Sequence, residues 1–128
     1  MRRHIIAIRA ANLALLAVLA ACADSLTEPG ESGRRWAPTE TATETRSGVE
    51  LVISYNSSTE RFDGTVTNKS DVTVTNVRVE IHLSNGTELG PTPRADLGPQ
   101  ESRPVTLDAS GQNFTWYSVH VEVGSSSS

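Results

Sequence analysis

The chain has 128 residues, 37% of them hydrophobic and 20% charged, which leaves room for one small core. Fifteen acidic residues against 11 basic ones give a net charge of −4. No basic patch lies beyond the N-terminus, which argues against nucleic acid or an anionic lipid surface as partner. A single cysteine excludes an intramolecular disulfide.

The N-terminus carries Arg2, Arg3 and Arg9, followed by an apolar run from Ala10 to Ala21 that only Asn12 interrupts. About a dozen residues fall short of the ~20 that cross a bilayer as a helix. A basic start, a short apolar centre and small residues at the end mark a secretory signal over residues 1–21. A buried helix is the alternative, but the polar stretch that follows offers it nothing to pack against. The run closes on Leu19-Ala20-Ala21-Cys22, which resembles the lipobox of bacterial lipoproteins. That resemblance implies cleavage between Ala21 and Cys22, a diacyl group on the Cys22 sulfur and often a third chain on its amine. Two or more acyl chains anchor a protein stably, whereas one does so only marginally. Ordinary cleavage at an A-x-A-like site would also suit an Ala-rich end. The position of the only cysteine favours lipidation. Ala23, not an acid, follows Cys22, and by the same resemblance this points to the outer membrane in a two-membrane host.

Removal of residues 1–21 takes away three arginines and no acid, so 8 basic and 15 acidic side chains remain and the net charge becomes −7. Residues 23–47 are rich in Thr, Glu, Ser, Pro and Gly and lack apolar periodicity. Cys22 and this segment, 22–47, are expected to form a disordered tether, of roughly 25–30 Å root-mean-square span. Trp36, beside Arg34 and Arg35, is expected to be an exposed linker residue; the other reading is a membrane or partner contact.

Residues 48–124 alternate with period two, and residues 125–128 form a serine tail. Val49, Leu51, Ile53 and Tyr55 share one face of a first strand, and Phe62, Gly64 and Val66 one face of a second. Val77, Val79, Ile81 and Leu83 alternate with Arg78, Glu80 and His82. Asn85-Gly86 predicts a two-residue type I′ hairpin that pairs Leu83 back toward Glu88 and Leu89. Val105 and Leu107 mark a short strand, and Tyr117 to Val123 a last one. β-branched residues dominate these runs. The expected fold is all-β, a small antiparallel Ig-like sandwich of six to seven strands.

Gly64-Thr65-Val66-Thr67-Asn68 resembles the G-x-V-x-N strand of FxLYD-type Ig-like modules of bacterial envelope proteins. Ile81 to Asn85 stands where the F-x-L-Y-D signature would be, and Leu97 to Ser102 is similar to the L-x-PG-x-S turn of that family. Ile81, Ser84 and Asn85 replace the signature Phe, Tyr and Asp, and Pro99-Gln100 replaces the PG turn. The resemblance implies an Ig-like sandwich and no activity.

Two patterns carry chemistry. Glu80-x-His82 and His120-x-Glu122 lie on the outward faces of two strands. If those strands are antiparallel neighbours, four metal donors meet across the sheet; otherwise they form a solvated polar face. Phe114, Trp116 and Tyr117 cluster, with Tyr117 inward, so Trp116 and Phe114 are the candidate binding surface. Asn56, Asn68, Asn85 and Asn113 begin N-x-S/T sequons, which turn chemistry explains without glycans. No G-x-S-x-G or other catalytic setting occurs, and no cofactor is expected. The expected protein is a non-enzymatic, lipid-anchored envelope module that contacts another envelope protein or a polysaccharide. The rivals are a metal- or carbohydrate-binding module and a structural subunit of an envelope assembly.

Overall fold

The computed structural model describes residues 33–125. The expected signal segment, the Ala21–Cys22 cleavage position, residues 22–32 of the expected tether and residues 126–128 of the expected tail lie outside them. No helix occurs among the described residues. Eight strands do: β1 (Thr41–Arg46), β2 (Val49–Asn56), β3 (Arg61–Asn68), β4 (Val74–Leu83), β5 (Glu88–Leu89), β6 (Ala95–Leu97), β7 (Ser102–Asp108) and β8 (Tyr117–Glu122).

The strands form two antiparallel sheets. One runs β1-β2-β3-β7. In the other, β4 is central and pairs with β5, β6 and β8. Thr92, between β5 and β6, donates its N–H to the Val79 carbonyl at 2.9 Å, so β5 and β6 act as one interrupted edge strand along β4. The consecutive strands β3 and β4 lie in opposite sheets, and so do their partners β7 and β8. The chain therefore passes between the sheets three times, from β3 to β4, from β6 to β7 and from β7 to β8, which ties the layers into one β-sandwich. The alternating apolar residues meet between the layers: Leu51, Ile53, Phe62 and Val66 from one sheet, Val79, Ile81, Val119 and Val121 from the other, all buried. Each such side chain contributes about 1.5–3 kcal/mol by leaving water.

Three expectations need correction. First, the sandwich has eight strands, and one of them, β1, lies inside the segment expected to be a disordered tether. Trp36 is not an exposed linker residue; it is 8% exposed and exchanges two backbone hydrogen bonds with Tyr117, at 2.8 and 2.9 Å. The inward positions of β1 are Ala42 and Glu44, so it lacks the large apolar side chains that reveal a strand. Second, the boundary expected at residue 48 falls within a hairpin. Arg46 pairs with Val49 across Ser47 (φ 51°) and Gly48 (φ 79°), the two left-handed residues that a two-residue type I′ turn requires. Third, the Asn85-Gly86 turn is of another kind. Gly86 donates to the Leu83 carbonyl at 2.9 Å, Leu83 donates to the Thr87 carbonyl at 2.8 Å, and only Gly86 has positive φ (85°). This is a three-residue loop with a glycine bulge. Ile81 then pairs with Leu89, and His82 with Glu88.

The G-x-V-x-N segment has physical reasons at both ends. A Cβ on Gly64 would come within 2.3 Å of the Val52 carbonyl oxygen. Asn68 is fully buried at the end of β3. Its amide donates to the carbonyls of Val72 (2.7 Å), Leu97 (3.0 Å) and Gly98 (3.0 Å). Its Oδ1 accepts from the Ser70 N–H and hydroxyl at 2.9 and 2.7 Å. One side chain thus joins the end of one sheet to the loops that lead into β4 and β7. Asn56 and Asn85 serve their turns by accepting from N–H groups two residues on, at 3.0 Å each.

Candidate functional site

The polar cluster of the β4 sheet follows from strand register. β4 and β8 are antiparallel neighbours that place Glu80 opposite His120 and Arg78 opposite Glu122. β5 places Glu88 opposite His82. Four donors from three adjacent strands therefore share one outward face: Glu80, His82, Glu88 and His120.

The donor atoms of Glu80, His82 and Glu88 all lie within 4.8 Å of one another. His82 Nε2 is 3.7 Å from a Glu80 oxygen and 3.6 Å from a Glu88 oxygen. The His82 and His120 ring centroids are 4.6 Å apart. Glu80 is 7% exposed and His120 3%, whereas the Glu88 side chain is 52% exposed. The cluster is thus buried at its base and open to solvent at Glu88.

Electrostatics follow from that gradient. Burial, then the neighbouring Glu122 and Glu88 carboxylates, pushes the Glu80 carboxyl above its ordinary value. Burial, then His82, pushes His120 down to about 4, so its ring is neutral near pH 7. His120 Nε2 lies 3.2 Å from the Ser118 hydroxyl. Its Nδ1 is buried with no hydrogen-bond partner among the described residues.

Of the four expected metal donors, Glu80 and His82 bring their donor atoms together, the His120 ring lies beside His82, and Glu122 does not join them. The Arg78 guanidinium, directly across in register, holds Glu122 in an ion pair and lowers its pKa. Glu88 takes its place. The expected type I′ turn would have set Glu88 opposite Leu83, on the inward face. The extra loop residue shifts the register by one, and a one-residue shift changes the face of every side chain.

The aromatic pair behaves otherwise. Phe114 is drawn into a cluster with Tyr55, Phe62 and Tyr117, at centroid distances of 4.9, 5.8 and 6.4 Å. Trp116 is half-buried, and the Arg35 guanidinium lies 4.2 Å from its ring centroid. An open aromatic platform is therefore not what these two residues form. At the opposite side of the sandwich, where Gly90–Arg94 interrupts the edge, the layers part around a cleft of about 270 Å³ between Val66 and Val105 on one wall and Val77 and Leu97 on the other.

No family model and no curated protein matches the chain. Among solved structures it is similar to a DUF1425 family member from Shewanella sp. pv-4, solved at 1.81 Å, with 18% identity over 73% of this chain and 79% of that chain and a TM-score of 0.34.

Proposed function

We propose that the chain is a bacterial envelope lipoprotein, cut before Cys22, anchored by acyl chains on that residue and displaying a non-enzymatic Ig-like module to another envelope protein or a polysaccharide. The observation that carries this reading is the only cysteine of the chain, placed behind a basic and apolar leader at the end of Leu19-Ala20-Ala21-Cys22. Outer-membrane placement goes with Ala23, since no acid immediately follows the cysteine. The sandwich supports the module part of the reading through its form: a rigid β-scaffold with loops presents surface.

The burial of Trp36 shortens the spacer in this proposal. About 14 residues separate Cys22 from Trp36, a length of chain whose reach is at most roughly 50 Å. The module would then sit within that reach of the bilayer, where its net negative charge keeps it off anionic headgroups.

Intact mass of the protein purified from native membranes, beside a Cys22→Ala control, tests the proposal. The expected mass is that of residues 22–128 plus two or three acyl chains, lost in the control. An unlipidated mass that begins after residue 22 would overturn the anchor.

A further inference from the structure

We propose that Glu80, His82 and Glu88 bind a divalent transition-metal ion of the zinc class, with His120 as the adjacent fourth donor. The site is independent of the lipid anchor and uses residues that the proposed module leaves unassigned.

The geometry supports one ion. Zinc sits about 2.0–2.2 Å from imidazole nitrogen and carboxylate oxygen. Tetrahedral ligands at that radius are about 3.4 Å from each other. His82 Nε2 already stands 3.6 and 3.7 Å from the two carboxylates, within a few tenths of an ångström of the separation that two ligands of one ion require. The longest donor separation is below 4.8 Å, and Glu88, the exposed member, has the freedom to shorten it.

The placement supports a built site. His82 and Glu80 are two apart on β4, and Glu88 and His120 are their direct partners on β5 and β8. Backbone ladders on both sides of β4 fix the spacing, which orders ligands better than a loop does. His120 is 3% exposed, yet its Nδ1 has no hydrogen-bond partner among the described residues. Buried polar atoms are normally satisfied, so this one calls for a partner. Glu80 is a buried carboxylate whose oxygen lies within 4.8 Å of that of Glu88, an approach of like charges that a cation relieves. A mixed imidazole–carboxylate set suits zinc, copper or nickel, whereas magnesium favours an all-oxygen shell.

Calorimetric titration of the full chain in detergent with Zn²⁺, and separately with Mg²⁺, is the test. The expected result is saturable binding of one Zn²⁺ per chain, no comparable binding of Mg²⁺, and an affinity weaker by roughly tenfold or more in both His82→Ala and Glu88→Gln. Glu88 is exposed, so its variant keeps the fold and separates loss of a ligand from loss of structure. Glu101→Gln, at the far β6–β7 turn, should bind like the parent chain. No heat above dilution for the parent chain would overturn the site. So would equal affinity in the parent chain, His82→Ala and Glu88→Gln, or equal binding of Mg²⁺. Unchanged affinity in His120→Phe would remove His120 from the ligand set.

Discussion

The Glu44 carboxylate on β1 accepts a hydrogen bond from the Val121 N–H on β8, 77 residues away, at 2.9 Å. Arg46 reaches the Val121 carbonyl from the same strand at 3.4 Å. At the other end of β8, Trp36 exchanges backbone hydrogen bonds with Tyr117. The side of β8 that faces away from β4 is thus served by β1 side chains and by Trp36 in place of a neighbouring strand. A bare strand edge is a template for pairing with other chains, and here it is covered.

Glu44→Ala should therefore do two things. It leaves a buried N–H unsatisfied, at a cost of about 1–3 kcal/mol. It also uncovers the β8 edge. Urea unfolding should show the loss of stability, and analytical ultracentrifugation a new tendency to self-associate. Glu44→Gln keeps an acceptor oxygen and should lose less. Equal stability of all three forms would show that the contact contributes nothing.

This edge also shows what the sequence hid. The apolar alternation of β2, β3, β4 and β8 is legible because Val, Leu, Ile and Phe occupy every second position. β1 alternates too, but Thr stands outward at 41, 43 and 45, and Ala42 and Glu44 stand inward. Composition reads that pattern as linker, and only long-range contacts reveal it. The Glu80–His82–His120 part of the cluster was legible from strand alternation once β4 and β8 paired. Glu88 was not, because its face depends on the turn type at Asn85-Gly86, and Asn-Gly occurs in both turns. The loss of Glu122 to Arg78 depended on register, which no local pattern states.

Asn68 offers a sharper test of the β3 motif. Asn68→Ala strips three carbonyls of a donor and the Ser70 N–H of an acceptor. Leu97 is fully buried beside it, so water cannot replace every bond. The expected loss is about 3 kcal/mol or more, since each unsatisfied buried group costs about 1–3 kcal/mol. Chemical denaturation measures it directly. A loss under about 1 kcal/mol would mean that solvent enters the joint.

Tyr117 predicts a loss of stability in alkali. Its hydroxyl donates to the Glu40 carbonyl at 2.6 Å, and burial pushes its pKa up to about 12 from an ordinary 10. The folded chain therefore keeps a proton that the unfolded chain releases above pH 10. The contribution is fully present below pH 10 and is lost as pH rises toward 12. It is worth at most roughly 2–3 kcal/mol. Urea midpoints measured from about pH 9 to about pH 11 should fall, and in Tyr117→Phe the fall should be shallower. The variant should lose about 1 kcal/mol near neutral pH with the hydrogen bond. Parallel pH profiles for the two proteins would remove Tyr117 as the cause.

The folded unit takes in Trp36, ahead of β1. Trp36 buries its ring, the Arg34 guanidinium lies 3.7 Å from that ring's centroid, and its backbone extends the β4 sheet by one bridge beyond β8. Trp36→Ala should cost about 3 kcal/mol, as removal of a buried aromatic does. In a domain this small that is a large share of the total. A chain that starts at Gly48, where composition places the boundary, also loses β1 and with it the Glu44 and Arg46 contacts to β8. Circular dichroism and urea unfolding of residues 33–128 against 48–128 should show a cooperative transition in the first and none in the second. A cooperative, equally stable 48–128 fragment would mean that β1 and Trp36 only lie against a sandwich that folds without them.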